Sequence, residues 1–410
     1  MKTYIKRNAG YISLKKVALL ALPLALFLNS CKKDPVTPST PKPEPQKDAV
    51  VLESIKMKTI LEDRISDPNI PDYLVNQSIS VSAELTLKSG VVIGFAQDAR
   101  LDINSNGILI AKGEANKKIR FIGQVAQKGY WSGIAMYSNS SANEFTYTEI
   151  LHAGSKPMFD NIRSAVSMFE GSRLNVKNTT VSLSGGYGMY FRNSALLLNF
   201  ANNKFTENKE APMLMTAANV PQLDAATTFT GNNGRNVIEV MQSYIDGAEE
   251  IVWPAFTDGT GYRLNGTITT RTGWKLQPGT TIEVVENEFI NIEKGYLNAV
   301  GTTEKKINFQ GVVKAPGSWK GIVIYSRSAY NQMENVKISH AGGIRLISTT
   351  KASIALFGPN MSNLSLKNSE ISQSGGYGIH LYGKNAEVNA DVTTSNSFTN
   401  NAADPIFAEE

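Results

Sequence analysis

The chain has 410 residues, of which 41 are Lys or Arg, 36 are Asp or Glu, and a single one, Cys31, is cysteine. One cysteine excludes a disulfide within the chain and a zinc site built from several cysteines. Five basic residues and no acidic ones lie in residues 1–31, so 5 − 5 leaves the rest of the chain near neutral, and nucleic-acid binding loses its electrostatic support.

Residues 1–31 have the composition of an export signal. The basic residues precede the apolar run VALLALPLALFLNS, which is too short to span a bilayer as a permanent helix. The run ends in LNSC, which resembles the lipobox of bacterial lipoproteins. This resemblance implies cleavage before Cys31, lipidation of Cys31 and anchoring in a Gram-negative cell envelope, at the outer membrane. The alternatives are an uncleaved signal anchor and an ordinary signal peptide.

Residues 32–49 have the composition of a tether. The stretch KKDPVTPSTPKPEPQK carries five prolines among polar residues. Such a sequence favours an extended, polyproline-like conformation over a packed core. We therefore expect these residues to hold the body of the protein away from the membrane.

Residues from about 50 onward have the patterning of an all-β protein. Short alternating segments such as GILIAKG and RLNVKNTTVSLSG are separated by Gly or Asn turns. Val181 and Phe205 hold matching places in two successive segments, and a period in the low twenties is typical of the coils of a parallel β-helix. We therefore predict a solenoid whose short strands pair with those of neighbouring coils.

Two long stretches of the chain repeat one another. The stretch GYWSGIAMYSNSSANEFTYTEILHAG, residues 129–154, is identical to residues 317–342 at 12 of 26 positions without a gap. Further matched stretches keep the same order, which predicts a tandem duplication of one multi-coil unit. The first copy, with an N-terminal cap, covers residues 50–244, and the second covers residues 245–410.

With these blocks in view, the chain resembles the bacterial right-handed parallel β-helix lipoproteins of the pectate-lyase-like superfamily. The resemblance is carried by the G-x-W-x-G-I blocks, the I-x-H-A-G turns and the SGGYG turns. It implies a right-handed parallel β-helix. The superfamily contains polysaccharide lyases and glycoside hydrolases as well as many members without an assigned activity, so the fold alone does not give the function.

The repeated tryptophans and histidines are interpreted as structural residues. Trp131 and Trp319 are expected to fill equivalent corners of the core, where a glycine two residues later allows close backbone approach. The alternative is a pair of platforms on which sugars stack. His152 and His340, each followed by Ala-Gly, are interpreted as hydrogen-bonded turn residues rather than as acid–base catalysts.

Six tyrosines are further candidate ligand-binding residues. Rings stack on sugar faces and neighbouring amides bond hydroxyl groups, so aromatic residues interleaved with Asn, Ser and Thr suit contact with a glycan. Each ring could instead pack against its neighbour in the adjacent coil. The candidates are Tyr137, Tyr325, Tyr187 and Tyr377, together with Tyr130 and Tyr330.

One acidic cluster is a candidate metal site. Asp98, Arg100 and Asp102 alternate in DARLD, which would put them on one face of a strand. The two carboxylates could hold calcium there, or the whole cluster could bind a uronate. The favoured interpretation is a solvated, self-neutralising face. No other cofactor is expected, and sequence strings typical of polygalacturonases and pectate lyases are absent.

We therefore expect a non-catalytic binding or adhesion module for a glycan or another surface polymer. The alternatives are a polysaccharide lyase or glycoside hydrolase acting on an acidic polysaccharide, and a structural spacer. An enzyme should show a cluster of carboxylates with Lys or Arg in one copy only, whereas a binder should repeat aromatic or amide rows. We also expect weak self-association through the C-terminal coil, because a bare end coil exposes unpaired backbone groups.

Overall fold

The structure, a computed structural model, describes residues 48–409. Cys31 and nearly all of the expected tether lie outside the described residues. Within them the secondary structure is almost entirely short β-strands, with two short 3-10 helices at Ala217–Gln222 and Gly358–Asn360. No helix in residues 48–409 combines the length and the apolar character that a membrane crossing requires.

Forty strands follow one another along the described residues. The first twenty are β1 (Val50–Val51), β2 (Thr59–Leu61), β3 (Tyr73–Val75), β4 (Ile79–Val81), β5 (Glu84–Leu87), β6 (Val92–Phe95), β7 (Arg100–Ile103), β8 (Ile108–Lys112), β9 (Ile119–Gly123), β10 (Gly133–Met136), β11 (Glu144–Thr146), β12 (Thr148–Leu151), β13 (Ser164–Met168), β14 (Arg173–Lys177), β15 (Thr180–Ser182), β16 (Tyr187–Phe191), β17 (Leu196–Ala201), β18 (Lys204–Thr206), β19 (Met213–Met215) and β20 (Thr228–Gly231). The others are β21 (Val237–Val240), β22 (Ser243–Ile245), β23 (Ile251–Trp253), β24 (Gly261–Leu264), β25 (Ile268–Thr270), β26 (Gly273–Leu276), β27 (Thr281–Val284), β28 (Phe289–Ile292), β29 (Tyr296–Val300), β30 (Ile307–Gly311), β31 (Gly321–Ile324), β32 (Gln332–Glu334), β33 (Val336–Ser339), β34 (Ala352–Phe357), β35 (Asn363–Lys367), β36 (Glu370–Ser372), β37 (Tyr377–Tyr382), β38 (Glu387–Val388), β39 (Ser397–Thr399) and β40 (Ile406–Glu409).

These strands form five sheets in which neighbouring strands are parallel. One sheet of 13 strands, the long sheet, runs from β4 through β7, β10, β13, β16 and β19 to β39. An eight-stranded and a six-stranded sheet accompany its first part, and a seven-stranded and a six-stranded sheet accompany its second part. Each sheet takes every third strand or so, because the chain visits three sheets in turn. Stacked all-parallel sheets of this kind fit a parallel β-helix.

Inward-pointing side chains form continuous apolar ladders between these sheets. Val181 pairs with Phe205, which confirms the register expected from their matching places in successive segments. The buried rings of Phe95, Phe121 and Phe145 follow one another in adjacent coils, with centroids 6.4 and 6.0 Å apart. Burying a side chain of this size contributes roughly 1.5–3 kcal/mol, so repeated ladders of this kind stabilise the stack.

The turns between strands are built largely on asparagine. Asn178 and Asn202 adopt left-handed backbone conformations, with φ of 49° and 55°, which asparagine tolerates better than most residues. Buried asparagine side chains also form hydrogen bonds from coil to coil. Asn208 Nδ2 donates to Asn233 Oδ1 at 2.9 Å, and Asn208 Oδ1 accepts from the backbone N–H of Ser184 at 3.1 Å.

The repeated sequence blocks occupy different sheets. Strands β10, β13 and β16 belong to the long sheet, whereas their sequence counterparts β31, β34 and β37 belong to the seven-stranded sheet. The long sheet continues in the second part with β27, β30 and β33, whose counterparts β6, β9 and β12 belong to the eight-stranded sheet. Matched surface residues of the two halves therefore lie on different sheets.

The two ends of the described stack are each made of short strands. Near the N-terminal end, β1 pairs with β3, β2 pairs with β5, and Ile55 bridges to Val81. At the C-terminal end, β38, β39 and β40 pair with β35, β36 and β37. Residues 50–61 thus form the first coil and residues 387–409 the last.

Candidate ligand-binding surfaces

The repeated tryptophans lie in the core. Trp131 and Trp319 have no exposed surface, and the Trp131 ring stacks on Phe95 with centroids 3.9 Å apart. Trp131 Nε1 donates to the carbonyl oxygen of Leu151 at 2.8 Å, and Trp319 Nε1 donates to that of Ser339 at 2.9 Å. Because neither indole face is accessible, neither tryptophan can serve as a sugar platform.

The repeated histidines sit in matching turns beside these tryptophans. His152 and His340 both have φ of 65° and are nearly buried. The carbonyl oxygen of each accepts from the backbone N–H of the neighbouring tryptophan, at 3.2 and 3.3 Å. Burial lowers the pKa of both rings, which favours the neutral form. The backbone of each histidine is therefore hydrogen-bonded, although neither Nδ1 has a protein partner within residues 48–409.

Of the two carboxylates considered for calcium, one lies in a turn and the other on a strand. Asp98 lies in a turn with φ of 61°, before β7 begins at Arg100, so the expectation that the trio shares a strand face holds only for Arg100 and Asp102. Arg100 donates to both carboxylate oxygens of Asp102, at 2.6 and 2.9 Å. Asp98 lies 3.1 Å from Lys156, and hydrogen bonds from Ser155 and Lys156 lower its pKa.

Metal binding has no further support among residues 48–409. They contain no group of three or more His, Cys, Asp or Glu side chains placed to hold a metal ion. A cation already neutralises each of the two carboxylates in question. Calcium is therefore not part of the function proposed below.

A first aromatic row, formed by Tyr137, Phe169 and Phe159, lies on the outer face of the long sheet. Tyr137 follows β10 and Phe169 follows β13, so their side chains stand in adjacent coils. The two rings stack with centroids 4.4 Å apart and planes 7° from parallel, and Phe159 meets Phe169 edge-on at 6.3 Å. Tyr137 remains 40% exposed, so one ring face of the stack is open to solvent.

The Arg100–Asp102 pair borders this row. Both side chains lie close enough to Tyr137 to influence its phenol, although burial is the main cause that raises the tyrosine pKa. Arg192 lies over the Phe159 ring at 3.4 Å on the other side. An open ring flanked by groups that donate and accept hydrogen bonds is an arrangement suited to sugars, since rings cover apolar faces while polar groups bond hydroxyls.

A second aromatic row, formed by Tyr325, Phe357 and Tyr382, lies on the outer face of the seven-stranded sheet. Tyr325 and Phe357 lie 5.1 Å apart, and Phe357 and Tyr382 stack at 5.6 Å. All three rings are partly exposed and pack on a small apolar cluster of Val323, Ile347 and Ala355. This row therefore rests on a supported surface rather than on a free loop.

The two rows occupy matching places in the repeated blocks. Tyr325 and Phe357 hold the positions in the second half that Tyr137 and Phe169 hold in the first. Sequence reasoning identified the two tyrosines but missed both phenylalanines and Tyr382. The signal was present, since SAVSMF and ASIALF end in the same ring, but a phenylalanine at a strand end reads as a core residue until its outward direction is known.

The candidates Tyr377 and Tyr187 lie outside the two rows and have different surroundings. Tyr377 stacks on Phe407 of the last coil, with centroids 4.9 Å apart. Tyr187 instead donates its hydroxyl to Glu239 Oε2 at 2.8 Å, at the edge of a surface cleft of about 470 Å³. Burial and the Glu239 charge both raise the Tyr187 pKa, which keeps the phenol protonated.

Comparison of the chain with protein-family models, with curated proteins and with solved structures finds no match in any of the three. The stacked parallel sheets and the two aromatic rows are thus the observations on which a functional proposal must rest.

Proposed function

We propose that the protein is a non-catalytic binding module of the cell envelope that holds a glycan or another surface polymer against its two aromatic rows. The observation that carries this proposal is the recurrence of a ring pair outside the core at matching places: Tyr137 stacks on the nearly buried Phe169, and Tyr325 packs on Phe357 with the ring planes 53° apart. A feature repeated on the surface, where the core does not require it, is expected of a binder that contacts a repetitive polymer.

The spacing of the coils favours an extended ligand. Rings in adjacent coils follow the separation of neighbouring strands, ~4.8 Å, which is close to the length of one sugar ring along a chain. Tyrosine and phenylalanine lose little conformational freedom when they make such contacts, because each has two side-chain torsions. Each row therefore suits a short stretch of polymer lying along the stack.

We also propose that the two halves, residues 50–244 and 245–410, arose by tandem duplication of a right-handed multi-coil unit. The matching hydrogen bonds of Trp131 and Trp319 support this, as does the φ of 65° at both His152 and His340. A duplicated unit explains why the rows are related in sequence although they lie on different sheets.

An enzyme acting on an acidic polysaccharide is the second candidate. The observation in its favour is a cluster of Tyr187, Glu239, Arg235 and Glu210 that the second half does not repeat. Glu239 is only 2% exposed and already bonded, and the Tyr187 phenol is held protonated, so neither group is placed to take a proton from a substrate. The cluster fits binding better than catalysis.

The test replaces one open ring in each row. Full-length protein with Tyr137→Ala or Tyr325→Ala should bind its polymer roughly fivefold more weakly, since an aromatic contact of this kind is worth about 1 kcal/mol. The matched control is Tyr330→Ala, because Tyr330 is 61% exposed and packs on Tyr296 away from both rows. Affinity is measured by calorimetry after an array of neutral and acidic polysaccharides has identified the polymer.

Three outcomes would contradict this proposal. Equal losses in the row variants and in Tyr330→Ala would show that the rows are not special. Turnover of a uronate polymer, followed by absorbance, would favour the lyase. Failure to bind any polymer on the array would leave the structural spacer as the better account.

Anchoring is proposed through Cys31 and is tested separately. Lipidation requires the thiol and the new amino terminus of this residue, so Cys31→Ala should move the protein from the membrane fraction to the soluble fraction. Metabolic labelling with a fatty acid should mark the wild type and not the variant. Retention of Cys31→Ala in the outer membrane would argue against a lipid anchor.

A further inference from the structure

The cleft beside Tyr187 has a floor without side chains. It lies on the outer surface of the long sheet, where β13 and β16 begin. A Cβ atom at Gly186 would lie 2.0 Å from the carbonyl oxygen of Arg163, and one at Gly185 would lie 2.5 Å from that of Gly154. Only glycine fits at these two places, so backbone atoms line the cleft there, partly exposed at Gly185 and buried at Gly186.

A buried carboxylate holds one wall of this cleft. Glu239 Oε2 accepts from the Tyr187 hydroxyl at 2.8 Å and from Asn265 Nδ2 at 2.7 Å, and Glu239 Oε1 accepts from Arg235 Nε. Arg235 also reaches Glu210 with Nη2 at 2.7 Å. A buried carboxylate whose hydrogen bonds are all made fixes the orientation of its partners, so the side chains of Tyr187 and Arg235 are already oriented before any ligand binds.

The charges around the cleft do not cancel. Arg235 is paired with both Glu210 and Glu239, so it neutralises one of the two. Arg163 and Lys209 also line the cleft, both are exposed, and neither forms an ion pair within residues 48–409. Three basic and two acidic side chains leave one positive charge, which favours a ligand group with one negative charge.

The matching region of the second half lacks this arrangement. Lys209 and Glu210 pair through their backbone N–H groups with Ser184 and Gly186, as Ala402 and Ala403 do with the corresponding SGGYG turn. The glycine floor recurs there, but the charged wall is replaced by alanines. The charges are therefore not required by the coil itself.

We infer that the Tyr187 cleft binds a singly charged anionic group carried by a sugar, a carboxylate or a sulfate ester. Arginine matches the geometry of both groups with paired N–H donors, and Lys209 adds a second, flexible cation. The bare floor and the Tyr187 ring leave room for the sugar ring that carries the charge. A phosphate monoester carries close to two negative charges at neutral pH and fits the single excess charge less well.

The cleft and the first aromatic row can act on one ligand, and in this respect the inference rests on the proposed function. Tyr187 is the first residue of β16 and Arg192 directly follows its last, so the two lie roughly 16 Å apart at about 3.3 Å per residue. Phe159 of the first row and Ile162 of the cleft belong to the same loop, and this loop lies between the row and the cleft. A polymer lying along the row could therefore place its neutral face on the rings while a charged branch crosses the sheet into the cleft.

The test uses the full-length chain with Arg163→Ala and Lys209→Ala combined, and its control is Lys351→Ala, the counterpart of Arg163 in the second half. The probes are an oligouronate, a sulfated oligosaccharide and a neutral oligosaccharide of equal length. We expect the double variant to bind the two acidic probes at least roughly tenfold more weakly, because it loses two cations whose charge-assisted hydrogen bonds are stronger than neutral ones. The control and the neutral probe should be unaffected, and added salt should weaken only the acidic probes.

The inference fails if the double variant binds both acidic probes as the wild type does, or if a phosphorylated sugar binds more tightly than either. The ratio of oligouronate to sulfated-probe affinity assigns the group, carboxylate or sulfate. Loss of acidic binding in the double variant, with no effect of Tyr137→Ala or Tyr325→Ala on any probe, would support the cleft and overturn the aromatic-row proposal. If the row variants bind the neutral probe more weakly, and the wild type does not prefer the acidic probes, the aromatic-row proposal is supported and the cleft inference is overturned.

Discussion

Trp319 donates its indole Nε1 hydrogen to the carbonyl oxygen of Ser339 at 2.9 Å. The acceptor belongs to β33, the next strand of the long sheet after β30, so the bond ties a corner to a strand of the same stack. Trp131 makes the matching bond to Leu151 at 2.8 Å. A large buried ring with its polar atom satisfied both fills the corner and fixes its orientation.

Replacement of Trp319 should therefore cost stability rather than ligand affinity. Trp319→Ala should lower the free energy of unfolding by about 3–5 kcal/mol, and Trp131→Ala should do the same, because each leaves a cavity in a packed core. Urea unfolding followed by circular dichroism measures the loss. Polymer affinity of the folded variant should not change, whereas a sugar platform would show the opposite pattern.

A conservative pair isolates the hydrogen bond. Trp274 is also fully buried, but its Nε1 has no protein acceptor within residues 48–409. Trp319→Phe should cost about 1 kcal/mol more than Trp274→Phe, since only the former breaks a buried hydrogen bond. Equal costs would mean that the bond to Ser339 contributes nothing measurable.

The sequence predicted the repeating interior better than the surface. Alternation and a repeat period in the low twenties were sufficient to pair Val181 with Phe205, because inward side chains recur regularly from coil to coil. The burial of Trp131 was also anticipated, since a residue kept in both halves fits a geometric requirement. These inferences needed only local pattern and repetition.

The surface contacts depended on information that local pattern does not contain. Tyr187 and Glu239 are distant in sequence and meet because the intervening coils bring them to one face. Asp98 was expected on a strand with Asp102, but a left-handed turn ends just before the strand begins. Such contacts follow from the number of residues in each turn, which alternation does not specify.

A glycine beside each tryptophan should be irreplaceable. Gly133 has φ of 113°, and a Cβ atom there would lie 2.5 Å from the carbonyl oxygen of Ala165; Gly321 has φ of 123° and a corresponding contact of 2.4 Å. Gly133→Ala should lower the free energy of unfolding by more than about 2 kcal/mol, from backbone strain and overlap together. Chemical denaturation measures this loss.

Gly171 provides the control for this substitution. It also has positive φ, 74°, but nothing lies within 4 Å of an added Cβ atom. Gly171→Ala should therefore cost only about 1 kcal/mol of conformational strain. A larger loss for Gly171→Ala than for Gly133→Ala would show that close backbone approach is not what fixes the corner.

Stability should fall on mild acidification because three histidines are buried. Burial lowers the pKa of His152, His340 and His380 below the unfolded value of 6.5. The unfolded chain then binds more protons than the folded chain, so the stability present above pH 6.5 is lost as the pH falls toward the folded pKa values. The melting temperature should be lower at pH 5.5 than at pH 7.5.

Removal of two titrating rings should flatten this dependence. Asparagine tolerates the left-handed backbone at His152 and His340, so His152→Asn and His340→Asn combined should fold and show a smaller difference between pH 7.5 and 5.5. Each histidine can contribute at most about 1.4 kcal/mol per pH unit. An unchanged pH profile in the double variant would exclude these two rings as its cause.

The last coil should mediate weak self-association between two copies of the chain. Strand β39 is the outer strand of the long sheet, and both Ser397 and Thr399 on it are exposed. Phe398 and Ile406 are only partly buried where they pack on the core. An outer strand with free backbone groups and adjacent apolar side chains offers a pairing surface, and lysine on such an edge opposes pairing.

The double variant Ser397→Lys with Thr399→Lys should therefore stay monomeric at concentrations where the apparent wild-type mass rises in light scattering. The control Thr303→Lys, in an exposed bend, should leave association unchanged. A wild-type mass that stays monomeric at high concentration would rule this contact out, and equal effects of both lysine variants would assign it to net charge instead of the β39 edge.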